Sequence, residues 1–242
     1  MRVVVLAFGI LVCAVVALAD MDARPDLLTS LLQQGKDINP RVLSLALQAN
    51  RHAEKQGLLN GKNVLTVIDF SLPSTQKRLW SFDLANRRLL FEELVAHGKN
   101  SGENRTVSFS NNEGSLMSSI GVYLTDAPYI GKNGYSLRLK GLERGFNDNM
   151  YSRAVVLHGA WYVSDSMIHT WGRLGRSYGC PAVRKEISKA LIDTVKNGTL
   201  IVAYYPDQNW LAHSEYVQGL TDTASNTIDT KSNAGRRLRR VE

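Results

Sequence analysis

The stretch Arg153–Val195 contains two short motifs that decide how the rest of the chain is interpreted. The first, Arg-Ala-Val-Val-Leu-His-Gly, spans 153–159, and its apolar run predicts a buried strand that ends at His158. The second, Gly-Arg-Ser-Tyr-Gly-Cys-Pro, spans 175–181, where the glycines predict a loop that presents Cys180. A cysteine and a histidine delivered from separate segments are typical of a nucleophile and its base.

The segment after Cys180 is expected to be helical. Val183, Ile187, Leu191 and Val195 recur at steps of four residues, which is the spacing of one helix face. If Pro181 opened this helix, Cys180 would lie at its N-cap, where unpaired amides and the helix dipole favour an anion. We therefore expect a lowered thiol pKa, with Arg176 adding to the effect.

Working outward, the residues before the strand motif predict a mostly antiparallel β-sandwich or barrel. Short β-branched runs alternate with turn sequences rich in Gly, Asn and Ser. The predicted strands are Val64–Phe70, Arg78–Leu84, Arg88–Val95, Thr106–Ser110, Ile120–Thr125, Tyr135–Leu142, Ala154–Leu157 and Thr199–Tyr205. The fold class is therefore mainly β with α.

The beginning of the chain predicts export. Residues 3–18 are apolar after Arg2, and Ala17-Leu18-Ala19 is a small-x-small cleavage site, so 1–19 is predicted to be a signal peptide. An uncleaved anchor is the alternative, but the run is shorter than the ~20 residues of a spanning helix. We expect a protein of the periplasm or cell envelope, with no integral membrane segment after cleavage.

Three further regions complete the predicted domain organisation. Residues 20–60 are expected to form accessory helices, with Pro40 in a first helical turn. Residues 61–210 are expected to form the catalytic domain, and 211–242 a flexible tail rich in Thr, Ser and Asn that ends in clustered arginines.

Composition and cysteine usage limit the classes of function. The chain has 242 residues, of which 44% are hydrophobic and 21% charged, as in ordinary globular proteins. Its net charge of +7 suits an acidic polymer, although the charge is not gathered in one block, and we expect no nucleic-acid partner. Removal of the signal peptide takes away Cys13 and leaves Cys180 as a lone cysteine, which is either buried and inert or reactive.

These motifs resemble the YkuD-type L,D-transpeptidase catalytic domain, whose signature is a strand-end His-Gly pair and a Ser-His-Gly-Cys segment. Here the pair is His158-Gly159, and Tyr178 replaces the histidine of the second segment. A divergent branch of murein L,D-transpeptidase catalytic domain proteins is more similar, on the segment from Gly172 to Ala182 and on 97–102. The resemblance covers roughly Val64 to Tyr205.

The resemblance implies a β-sandwich-like catalytic domain that acts on peptidoglycan stem peptides. Cys180 would be the nucleophile, His158 the base, and the Gly159 carbonyl the group that orients the imidazole. The acyl group would pass to an amine, giving a cross-link, or to water. The backbone amides around Tyr178 and Gly179 are expected to stabilise the oxyanion.

Several residues are candidates for substrate binding. Guanidinium groups suit a substrate carboxylate, and the candidates are Arg173, Arg176 and Arg184, the last because it follows the cysteine. Ser177 and His97 complete the predicted substrate-binding set. The passage Tyr162–Trp171 is expected to insert a short helix that starts at Ser164 or Asp165.

Three alternatives remain open from the sequence. The same site could serve an L,D-carboxypeptidase. His158, His169 and Cys180 lie at equal intervals and would be the ligands of a zinc-dependent peptidase, although zinc sites usually have tighter spacing. A non-catalytic wall-binding module is the third alternative. Under the main interpretation we expect no cofactor and no metal, and no feature indicates an oligomeric state.

Overall fold

The computed structural model describes residues 26–218. The predicted signal peptide, 1–19, and most of the predicted basic tail lie outside the described residues. Within 26–218, no helix is both long and apolar enough to cross a membrane.

Two capped helices open the described chain. Helix α1, Leu27–Gln34, is capped by the Asp26 carboxylate, which accepts from Thr29 N at 2.7 Å. Helix α2, Pro40–Lys55, has proline at its first position and an Asn39 side chain that accepts from Arg41 N. The predicted helices in 20–60 are confirmed.

Nine strands follow, with three further α-helices between and after them. The strands are β1 Val64–Asp69, β2 Leu79–Asp83, β3 Arg88–Glu93, β4 Val95–Ala96, β5 Gly121–Gly131, β6 Gly134–Gly141, β7 Val156–Ala160, β8 Ala182–Arg184 and β9 Leu200–Tyr204. The helices are α3 Asp165–Trp171, α4 Lys185–Val195 and α5 Gln208–His213, and a 3-10 turn spans Lys99–Ser101.

All nine strands are hydrogen-bonded into one mixed sheet, in the order β3-β2-β1-β9-β5-β6-β7-β8-β4. The pairs β1–β9 and β7–β8 are parallel, and the others are antiparallel. Only Leu94 separates the edge strands β3 and β4 in the chain. The sheet must therefore curl back on itself, so the predicted class, mainly β with α and sandwich-like, is confirmed.

Side-chain alternation along the strands divides the core between the two faces of the sheet. Leu65 and Val67 of β1 are buried in one cluster with residues of α1, α2 and α5. Ile68 belongs to a second cluster with Leu191 and Ile192 of α4. The accessory helices thus share their core with the sheet.

Two predictions about the chain are corrected. Thr106–Ser110 is not a strand, and its only bridge is Gly102 to Thr106. The tail does not begin at 211, because Leu211, Tyr216 and Val217 are buried in the first core cluster. Apolar side chains that pack on the sheet keep 211–218 in the fold.

Candidate active site

The loop that carries Cys180 is held by the hydroxyl group of Ser177. Ser177 Oγ donates to Cys180 O at 2.6 Å and accepts from Gly179 N at 3.1 Å. Gly179 has φ of 123°, and a Cβ there would lie 2.8 Å from Met117 O. The loop therefore requires glycine at 179. The Ser177 hydroxyl, predicted to bind substrate, is occupied within the loop.

The loop that contains Gly98 and Lys99 is packed directly against the cysteine loop. A Cβ on Gly98 would lie 2.9 Å from Gly179 Cα. Ser118, which is buried, joins the two loops, because its Oγ accepts from Gly98 N at 3.0 Å and donates to Gly179 O at 3.1 Å. Lys99 N also donates to Ser177 O at 2.7 Å. The cysteine loop is thus fixed by segments distant in sequence.

Cys180 does not lie at a helix N-cap, and the prediction that it does is wrong. Strand β8 follows the cysteine, and α4 begins only at Lys185. The Cys180 thiol accepts from Val156 N at 3.4 Å and faces Ala154 O at 3.9 Å. Burial raises the pKa of the Cys180 thiol, while the Val156 N–H and then Arg153 act to lower it. The expected lowering of the thiol pKa is therefore also corrected.

His158 lies in the middle of β7 and not at its end. It is 4% exposed, and it pairs with Ser136 of β6 and Ala182 of β8. Its Nδ1 is 3.0 Å from Gly159 O, and a carbonyl only accepts, so Nδ1 carries the hydrogen. Burial lowers the pKa of the imidazole. The neutral ring therefore presents an unprotonated Nε2.

The parallel pairing of β7 and β8 brings the two predicted catalytic residues together. His158 is opposite Ala182, two positions after Cys180, and the N–H of Val156, two positions before His158, contacts the sulfur. By this register Cys180 lies opposite Val156, so the cysteine and His158 are two positions apart along β7. Gly159 is close to α4, since a Cβ there would lie 2.5 Å from Ser188 Oγ.

The backbone N–H groups predicted to stabilise the oxyanion differ in whether they are already hydrogen-bonded. Gly179 N–H is used by Ser177 Oγ. Among the hydrogen bonds of residues 26–218, the Tyr178 N–H has no acceptor, whereas the Cys180 N–H is directed at its own sulfur and acts to lower the thiol pKa. The Tyr178 side chain is 75% exposed and leaves the site open on that side. The Tyr178 amide thus remains available to a ligand oxygen.

The three predicted substrate-binding arginines are ion-paired within the fold. Arg173 Nε and Arg176 Nη1 contact the Glu103 carboxylate at 2.9 and 2.7 Å. Arg184 binds Glu93 with two hydrogen bonds of 2.8 Å each. A substrate carboxylate would have to compete with these glutamates.

His97, which was predicted to bind substrate, is a buried structural residue. Arg78 Nη2 donates to its Nδ1 at 2.8 Å, so the Nε2 hydrogen donates to Gly102 O at 3.2 Å. Burial, followed by the charge of Arg78, lowers the pKa of His97 to about 4. The ring is 1% exposed and holds the loop that packs on the cysteine loop.

Arg153 is the functional candidate that the sequence interpretation missed. Its guanidinium donates to Ser110 O and Ser119 Oγ at 2.7 Å each, to Met117 O at 2.8 Å and to Ser115 Oγ at 3.1 Å. These acceptors are neutral, and among residues 26–218 Arg153 has no carboxylate partner. The positive charge of Arg153 therefore acts to lower the pKa of the Cys180 thiol. One more arginine in a basic chain gives no sequence signal for this position.

The zinc alternative lacks its ligand cluster. Residues 26–218 contain no group of three or more His, Cys, Asp or Glu side chains arranged to hold a metal. His169 lies in α3, whose predicted start is confirmed by the Ser164 N-cap. The structure therefore does not assemble His158, His169 and Cys180 as metal ligands.

A pocket of about 300 Å³ lies against residues 154–156, and neither Cys180 nor His158 lines it. Ala154 and Val156, whose backbone atoms contact the sulfur, line it together with Arg138, Tyr129 and Tyr151 among others. A ligand in this pocket would therefore lie against Ala154 and Val156, the two residues whose backbone contacts the Cys180 sulfur.

Comparisons with known proteins were made for sequence and structure. Residues 34–204 match the family model of the L,D-transpeptidase catalytic domain. A comparison with the curated proteins found no match.

Similar solved structures include three L,D-transpeptidases. One is from Mycobacterium smegmatis (15% identity, TM-score 0.36, covering 59% of each chain). L,D-transpeptidase 1 of Mycobacterium tuberculosis has 13% identity and a TM-score of 0.35, covering 60% of this chain and 63% of that one. The Enterococcus faecium enzyme has 14% identity and a TM-score of 0.34, covering 59% and 50%. The match thus spans less than two thirds of these relatives, and TM-scores this low carry no conclusion about activity.

Proposed function

The chain belongs to the L,D-transpeptidase catalytic domain family, and on this premise we propose that it is an exported cysteine acyltransferase acting on peptidoglycan stem peptides. Cys180 is the nucleophile in this proposal and His158 is its base. The acyl group is transferred to an amine, giving a cross-link, or to water, giving carboxypeptidase activity.

The arrangement that carries the proposal is the orientation of the His158 ring on the strand whose backbone contacts the half-buried Cys180 thiol. The Gly159 carbonyl holds the hydrogen on Nδ1, and burial keeps the ring neutral, so Nε2 can accept a proton. Burial also keeps Cys180 a thiol at rest, since it raises the pKa of the sulfur. A half-buried thiol and a neutral imidazole on neighbouring chain segments suit proton transfer that accompanies attack.

The proposed reaction uses these groups in two stages. Cys180 Sγ attacks the carbonyl carbon before the terminal D-residue as its proton passes to His158 Nε2. The free amide of Tyr178 donates to the oxygen that gains charge. Breakage of the C–N bond expels the terminal amine, which takes the proton from His158 and leaves a thioester. An amine or water then attacks the thioester, and His158 again accepts and returns the proton.

Export and location belong to the same proposal. The predicted signal peptide, 1–19, supports a site of action in the periplasm or cell envelope. With Cys13 removed, Cys180 has no partner for an internal disulfide, so its thiol stays available in an oxidising compartment.

The test is intact mass after incubation with a carbapenem, whose strained amide should acylate a reactive thiol. One adduct per chain is expected, located on Cys180 and lost in Cys180→Ser. His158→Gln should keep the fold but lower turnover of a stem tetrapeptide by about 10²–10⁴-fold. His169→Gln is the matched control and should be close to wild type. No adduct and no turnover by the wild-type chain, or equal large losses in both histidine variants, would contradict the proposal.

A further inference from the structure

Arg138, on β6, is a half-buried cation with no anionic partner among residues 26–218. Within residues 26–218, the Arg138 guanidinium forms no hydrogen bond and no ion pair. Its Cζ lies over the ring of Tyr129, 4.3 Å from the ring centroid. Five other arginines in and around the site use their guanidinium groups within the fold: Arg78, Arg153, Arg173, Arg176 and Arg184.

The position of Arg138 in the sheet relates it to the thiol. Arg138 of β6 pairs with Val156 of β7, and the Val156 N–H contacts Cys180 Sγ at 3.4 Å. Arg138 also lines the pocket of about 300 Å³ to which Val156 and Ala154 contribute. Neighbouring strands are about 4.8 Å apart, so a group bound by Arg138 lies within about one or two residues of the reacting carbonyl.

We propose that Arg138 binds a carboxylate of the donor peptide and so determines substrate specificity. This inference rests on the proposed function. An arginine fork matches both oxygens of a carboxylate, and stacking on Tyr129 fixes the plane of the fork without using its N–H donors. The arginines that the sequence favours for this role are already ion-paired, Arg173 and Arg176 with Glu103 and Arg184 with Glu93.

Two carboxylates of the peptide lie close enough to the scissile bond. One is the terminal carboxylate of the D-residue, one residue beyond that bond. The other is the side-chain carboxylate of the diamino acid that supplies the reacting carbonyl. Both present the same chemistry to Arg138, and substrates with one group amidated at a time distinguish them.

The experiment compares steady-state turnover of a tetrapeptide ending in diaminopimelic acid and D-alanine with that of its two mono-amidated forms. Arg138→Gln should raise KM for the free acid about 10- to 100-fold with little change in kcat, since a charge-assisted pair is lost. Arg138→Lys should recover part of the loss. Lys140→Gln is the matched control, because Lys140 is an exposed cation on the same strand.

The KM values for the three peptides distinguish the loss of a substrate contact from a general structural effect of the substitution. For the amidated form that lacks the contacted carboxylate, wild type and Arg138→Gln should have equal KM, whereas for the other form they should still differ. Iodoacetamide labelling of Cys180 at wild-type rate shows that the variant retains the site. If the wild type turns over the peptides but Arg138→Gln leaves KM unchanged, or changes KM equally for all three peptides, this inference is wrong and the proposed function stands. Absence of any turnover by the wild type overturns the proposed function and this inference with it.

Discussion

Replacing Ser118 with alanine should destabilise the protein far more than removal of one hydroxyl usually does. The side chain is 1% exposed and satisfies two backbone groups, Gly98 N–H at 3.0 Å and Gly179 C=O at 3.1 Å. Both glycines are buried, so water cannot replace the hydroxyl without rearrangement. An unpaired buried group costs about 1–3 kcal/mol, so Ser118→Ala should lose about 2–5 kcal/mol after partial relaxation.

The measurement is urea unfolding followed by tryptophan fluorescence, with Ser152→Ala as the control. Ser152 is exposed and donates to Asn149 O, so its loss should cost less than about 0.5 kcal/mol. Acylation of Cys180 by a carbapenem should also slow in Ser118→Ala, because the Gly179 carbonyl is no longer held. Equal unfolding free energies for the two serine variants would show that Ser118 does not join the loops as described.

Two further outcomes follow from the site geometry. Iodoacetamide labelling of Cys180 should have a pH midpoint above the ~8.5 of free cysteine, because burial raises the thiol pKa, and Arg153→Gln should raise it further. A midpoint below that of free cysteine, or one unchanged in the variant, would refute the assigned causes. Gly159→Ala should lower the free energy of unfolding by about 1–3 kcal/mol, because the new Cβ would lie 2.5 Å from Ser188 Oγ, and a denaturant midpoint equal to that of wild type would contradict this.

The environment of the Cys180 thiol changes how the proposed catalytic pair is interpreted. The sequence predicted a thiolate prepared in advance by a helix terminus. The structure places β8 between Cys180 and the helix α4, so no helix dipole acts on the sulfur. A neutral thiol that loses its proton to His158 during attack requires a base held in one tautomer, and the Gly159 carbonyl provides this.

The local pattern of the sequence was sufficient for most elements. Proline at the first position of α2 and the Ser164 cap of α3 are signals contained within a few residues, and both were interpreted correctly. The apolar run 154–157 predicted β7 but ended the strand too early, because Gly159 and Ala160 continue it only through pairing with β8. A three-residue strand such as β8 has too few residues to show a period of two, so it was absorbed into the predicted helix.

The sequence by itself determined the signature around His158 and Cys180, the mainly β class and the family, because those depend on residue identity and short-range periodicity. The tertiary structure decided what surrounds each functional side chain. Arg173 and Arg184 form ion pairs with glutamates far away in the chain, while Arg138 and Arg153 have no carboxylate partner among residues 26–218. Burial and ion pairing depend on which strands become neighbours, and the closing of the sheet brings these groups together across long sequence separations.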